Sequence, residues 1–204
     1  GGDTTFSNKL SFSITSLGYS KKIIYRNKSK VNDDIYVTGN LGDSFLGLQI
    51  LKKKILINKK SSNYFINKYY QPDIQINLAK KLLKFANSSI DISDGLIADL
   101  EKMLNKQYLN YQIYMNKIPI SNALVRLIRK ENIKKMSLIS EGDDYQILFT
   151  ANCDKSRIIL NTSKILGIKI TKIGKIISGS KKSVIFDKKG NQLALKNKGY
   201  IHKF

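Results

Sequence analysis

IDISDGLIADL, residues 90–100, gathers three carboxylates, Asp91, Asp94 and Asp99, into eleven residues of a chain with 15 acidic and 36 basic side chains. The residues before it, SSIDI (88–92), read as a short strand. Those after it, DGLIADLEKMLNK (94–106), place Leu96, Ile97, Leu100, Met103 and Leu104 at helical spacing. Strand, acidic turn, helix is the local signature of a chain that mixes strands with helices. Capping explains part of it: Ser93 or Asp94 can cap the helix, with Asp99 a solvated helix residue. It leaves Asp91 unexplained, since Asp91 follows apolar Ile90 on a strand end. Asp91 and Ser93 stand two apart and so share a direction.

The same alternation runs outward. Strands are expected at LSFSITSLGY (10–19), DDIYVTGNLG (33–42, entering a Gly-rich turn), YQIYM (111–115), YQILFT (145–150), ITKIGKII (170–177) and SVIFD (183–187). Helices are expected at 43–55, capped by Asp43 or Ser44, and at 76–86, 122–131 and 156–166. KKGN (188–191) is a turn, and INKKSSNYFINKYYQP (57–72) reads as an exposed connection. The fold class is therefore α/β or α+β, without repeats.

At 204 residues the chain is one or two domains, long enough to bury a core. No apolar run approaches the roughly 20 residues that span a bilayer, and the first ten residues lack the pattern of a signal peptide. A single cysteine, Cys153, excludes an internal disulfide and suits a reducing cytoplasm. His202 is the only histidine, so a zinc cluster has no ligands. The net charge of +21 raises a basic nucleic-acid-binding protein as one alternative. Against a nucleic-acid partner, the lysines are spread end to end on polar faces rather than gathered in a patch.

A second acidic turn changes the weight of the first. SEGDDYQILFT (140–150) sets Glu141, Asp143 and Asp144 just before a strand. Carboxylates this close repel unless cations compensate, and hard oxygen donors suit Mg²⁺. GGDTT (1–5) adds glycines whose backbone amides can approach a phosphate. Together they point to phosphate plus Mg²⁺ held by loops at strand ends. Neither a Walker A pattern nor the protein-kinase motif set is present.

GGDTT, DDIYVTGNLGDSFLGL, IDISDGLIADL, GDDYQILFT, ITKIGKI and the ending KGYIHKF stand in the same order as in the thiamine-monophosphate kinases, which the sequence resembles over essentially its whole length. That family belongs to the aminoimidazole-ribonucleotide-synthetase-like superfamily, and the resemblance implies its fold. It further implies that residues 1–28 are the remnant of an N-terminal ATP- and Mg²⁺-binding domain and residues 29–204 the C-terminal domain. The implied reaction transfers the γ-phosphoryl group of ATP to thiamine monophosphate, giving thiamine diphosphate, in a family whose homodimer forms through the N-terminal domain.

Site roles follow from the resemblance alone. It implies ATP contacts at Gly2, Asp3, Arg26 and Ser93, and Mg²⁺ ligands at Asp3, Asp91 and Asp94. Asp143, where the family usually has Glu, and Tyr200 would meet the substrate. A phosphate acceptor is already nucleophilic, so no catalytic base is expected. A superfamily member with another acceptor is the alternative enzyme.

Overall fold

The computed structural model describes residues 14–131, 135–194 and 199. Gly2, Asp3, Tyr200 and His202 lie outside them, so those expectations have no structural counterpart below.

One six-stranded sheet organises the chain, built from β1 (Asp34–Thr38), β2 (Ala86–Asp91), β3 (Leu109–Tyr114), β4 (Ile147–Ala151), β5 (Ile170–Ser178) and β6 (Val184–Phe186). The strand order is β2-β4-β1-β5-β3-β6. Among the described residues every strand pairing is antiparallel except β3 with β6. The helices are α1 (Asp43–Leu51), α2 (Lys59–Tyr70), α3 (Ile76–Leu82), α4 (Leu96–Leu104), α5 (Asn122–Glu131), α6 (Lys135–Ile139) and α7 (Ser156–Leu166).

Alternation on the central strands splits the core by face. Ile35 and Val37 of β1 and Leu148 of β4 join the α4 stripe (Leu96, Ile97, Leu100, Met103) in one buried cluster. Tyr36 of β1 and Phe149 of β4 face the other way, stacked with ring centroids 5.2 Å apart. There they pack with Leu78 and Leu82 of α3 and Ile159 of α7. A third cluster, around Leu46, Phe65, Leu124 and Leu138, ties α1 to α2, α5 and α6.

Three expectations change. Residues 14–19 of the predicted first strand form no strand, and Ile14, Leu17 and Tyr19 are each at least 90% exposed. Alternation makes a strand only where a neighbour takes up the backbone groups, and no described strand lies beside this one. The expected connection at 57–72 is largely α2. Asn58 caps it, accepting a hydrogen bond from the Ser61 amide at 2.9 Å. Its apolar stripe is thin because only Phe65 is fully buried. α1 begins after Gly42 and has no side-chain cap of its own. Asp43 and Ser44 instead fall inside the helix, and Asp144 reaches across from the second acidic turn to accept from the Gly42 amide with both oxygens, at 3.0 and 2.9 Å.

Candidate functional site

β2 and β4 run antiparallel with Asp91 opposite Ile147, so the end of β2 and the beginning of β4 lie side by side. The first acidic turn leaves β2 at that end, and the second enters β4 there. Backbone bonds extend the pairing beyond the strands: Ile92 donates to Gln146 O and Tyr145 donates to Ile92 O, both at 2.8 Å, and Asp143 donates to Ser93 O at 2.9 Å. The fit depends on two glycines. A Cβ at Gly142 would land on the Ser93 carbonyl, and one at Gly95 on the Ser140 carbonyl. Gly95 also has φ +117°, which L side chains rarely adopt.

Asp99 corrects the capping reading. It is fully buried, not solvated. Its Oδ2 accepts from three successive amides, Ser93 and Asp94 at 2.9 Å and Gly95 at 3.2 Å. α4 is preceded by Gly95, and neither the Ser93 nor the Asp94 side chain caps it. Asp99 reaches back from the first helical turn to do that work. Its Oδ1 accepts from Lys102 Nζ at 2.7 Å, and the same ammonium donates to Asp94 Oδ2. Partial burial works against the Lys102 charge, but the two carboxylates outweigh it and raise its pKa.

Between the two turns and α1 opens a cavity of about 650 Å³. Ser93 and Asp94 line it from the first turn, and Glu141, Asp143 and Tyr145 from the second. Phe45 and Lys52, at either end of α1 and just past it, and Tyr69 of α2 complete the wall. With Lys54 beside Lys52, the cavity combines carboxylates, aromatic rings and two lysines.

Its carboxylates feel one another. Burial pushes the Asp143 carboxyl up, Lys52 works against this, and Asp94 adds to it. Tyr145 is raised by burial and then by Asp143, Asp91, Tyr69 and Asp94. Asp144, fully buried behind them, is raised well above the ordinary carboxylate range by burial, against the Gly42 amide. Asp143 and Tyr145 adopt left-handed backbone, φ +68° and +49°. Non-glycine residues in that region mark a locally constrained turn.

The expected site residues are therefore partly gathered. Ser93, Asp94 and Asp143 share the cavity. Asp91 ends β2, exposed, within electrostatic reach of Tyr145. Arg26 is exposed in a turn outside that cavity. Its neighbours Lys22–Tyr25 line a separate hollow with Phe85 and Ala86, at the other end of β2 from Asp91. Sequence reasoning missed Asp99 as the anchor of the turn, although an acidic residue in a first helical turn is a usable signal. It also missed Tyr69, because α2 was read as a connection.

Among the described residues, no group of three or more His, Cys, Asp or Glu side chains could hold a metal ion by itself. Asp91, Asp94 and Asp143 are hard oxygen donors of the type Mg²⁺ takes. Mg²⁺ is commonly held by one or two such carboxylates together with the phosphate oxygens of a ligand.

No family model matches the sequence. Comparison with curated proteins finds the thiamine-monophosphate kinase of Buchnera aphidicola subsp. Acyrthosiphon pisum, 38% identical over 208 residues, covering 99% of this chain and 62% of that protein. Among solved structures, AaThiL complexed with AMPPCP and TMP superposes with a TM-score of 0.70 at 26% identity, over 87% of this chain and 54% of that one. The Escherichia coli hydrogenase maturation protein HypE, at 11% identity and a TM-score of 0.67 over 87% of this chain and 53% of that one, shares the fold. The chain thus spans about 62% of the length of the curated relative it matches.

Proposed function

We propose that this chain, a relative of the thiamine-monophosphate kinases along 99% of its length, serves an ATP-dependent phosphotransfer to thiamine monophosphate that yields thiamine diphosphate. The observation that carries the reading is the meeting of the two acidic turns in one cavity, fastened by the Asp143-to-Ser93 and Tyr145-to-Ile92 backbone bonds. The AMPPCP and TMP held by the structural relative support ATP and thiamine monophosphate as ligands of this cavity.

In this reading the protein's contribution is positioning and charge. Ser93, at the cavity wall, would donate its hydroxyl to a nucleotide phosphate. Asp91 and Asp94 would hold Mg²⁺, which when bound neutralises the phosphate charge that otherwise keeps donor and acceptor apart. Asp143, raised by burial, faces the substrate beside the rings of Phe45, Tyr69 and Tyr145. Aromatic faces beside a carboxylate suit a cationic heterocycle such as the thiazolium. Asp99 fixes the turn that carries Ser93 and Asp94, so neither has to be ordered when ligands arrive.

We further propose the division at residues 28 and 29. The Lys28 amide donates to Ser88 Oγ at 2.7 Å, and Ser29 Oγ lies 3.1 Å from Thr150 Oγ1. From there the chain is bound into the sheet, whereas residues 14–20 have no regular structure. Gly2, Asp3 and Arg26 would belong to the nucleotide side contributed by the preceding domain, and Tyr200 to the substrate side. Homodimerisation through that domain and a cytoplasmic setting complete the proposal. The test is a coupled assay for thiamine diphosphate formation with ATP and Mg²⁺. The chain alone should give negligible turnover, and the chain joined to the N-terminal portion of a relative should give robust turnover lost in Asp94→Asn. Turnover that survives Asp94→Asn, or a joined protein that leaves thiamine monophosphate untouched, refutes the reading.

A further inference from the structure

We infer that Lys102 is the resident counter-cation of Asp94, a positioning residue that a divalent cation must displace before Asp94 can serve as its ligand. The inference rests on the reading of Asp94 as a ligand and adds a residue to which the resemblance gives no role.

The geometry leaves the ammonium little choice of place. Asp99 cannot turn away, because its Oδ2 is committed to the Ser93, Asp94 and Gly95 amides. Its Oδ1 faces Lys102, three residues along the same helix, at 2.7 Å. Held there, Lys102 also meets Asp94 Oδ2. Lys102 thus links the buried carboxylate that shapes the turn to the accessible carboxylate at the cavity wall.

The two pairs differ in how easily they part. The Asp99 side chain is 1% exposed, against 27% for Asp94 and 42% for Lys102. The contact to Asp94 lies at the surface, where an ion pair is worth little and water replaces it cheaply. Lys102 can leave Asp94 and keep its pair with buried Asp99, so only the exposed contact has to part. Lys102 meets Asp94 alone of the two cavity carboxylates that repel, Asp94 and Asp143, the latter being countered by Lys52. A dication beside Asp94 would repel the ammonium at the same short range, so the two cations compete for one carboxylate.

The test uses Mn²⁺ alone as probe with the isotopically labelled chain. Paramagnetic broadening of the Ser93, Asp94 and Gly95 amide resonances is titrated in the wild type, Lys102→Met, Lys102→Gln, and Lys102→Met with Asp94→Asn. Removing the competitor should lower the midpoint about two- to fivefold in both single variants, the range an exposed ion pair spans. The double variant should lose the broadening. A midpoint that is unchanged or higher in both single variants overturns the proposal, as does an absence of broadening at these amides in every protein. A merely structural lysine would shift the melting curve without moving the Mn²⁺ midpoint. Failure of the kinase reading shows elsewhere: cation exchange at Asp94 without turnover by the joined protein removes the activity and leaves the role of Lys102 standing. Turnover with an unmoved midpoint does the reverse.

Discussion

Replacing Asp99 with asparagine tests whether the first acidic turn is built by one buried carboxylate. The side chain is fully buried, takes three amides on Oδ2 and pairs with Lys102 on Oδ1. Asparagine keeps the shape and one acceptor oxygen. If that oxygen stays on the amides, the new NH₂ faces the Lys102 ammonium, and two donors meet. If the side chain flips, three amides lose their acceptor. Hydrogen bonds to a charged group are each worth about 1.5–3 kcal/mol, and breaking a buried charge pair costs about 3–5 kcal/mol. Asparagine retains part of this, so a loss of about 2–3 kcal/mol is expected, and Asp99→Ala should lose about 3–5 kcal/mol. For a chain of this size 2–3 kcal/mol lowers Tm by roughly 4–12 °C. Urea melts give the free energy, and hydrogen exchange at the Ser93, Asp94 and Gly95 amides gives the location. Exchange at these three should accelerate well beyond that of β1. An Asp99→Asn protein within about 0.5 kcal/mol of wild type, with those amides still protected, would refute the reasoning, since that is the scatter of ordinary surface changes.

The remaining expectations follow from single contacts. Gly142→Ala puts a methyl on the Ser93 carbonyl and should cost about 2 kcal/mol or more in urea melts, with loss of the Asp143-to-Ser93 bond seen as faster Asp143 amide exchange. Burial and then the nearby Lys169 lower Lys135 from its ordinary 10.5 to about 8. Between those values the unfolded chain holds more protons, so stability should rise with pH there, and the wild-type profile minus that of Lys135→Met should show the rise. Asp143 has the opposite sign: with its carboxyl raised, the native state binds the proton more tightly, and stability should fall as pH climbs through the window just above the ordinary carboxylate range. Asp143→Asn should flatten that fall in the same melts. Asp91→Asn, at an exposed strand end, should change stability by less than about 0.5 kcal/mol.

The sequence by itself determined the elements that carry strong local periodicity. The strands of the core and the stripe of Leu96, Ile97, Leu100 and Met103 are dictated by which neighbours at two or at three and four residues are apolar. It also marked both acidic turns, because carboxylates are scarce in a chain of net charge +21. What lay beyond its reach were relations set by register. Asp91 lies opposite Ile147 only because β2 pairs antiparallel with β4, and that pairing brings Ser93 to Asp143 across 50 residues. Burial was equally out of reach. Asp99 looks like any solvated helix carboxylate until three amides and Lys102 close over it. Tyr69 reaches the cavity from a helix that shows only one fully buried residue. Local signals report each residue's neighbours along the chain, whereas the cavity is made by neighbours across the sheet, where only tertiary packing decides who meets whom.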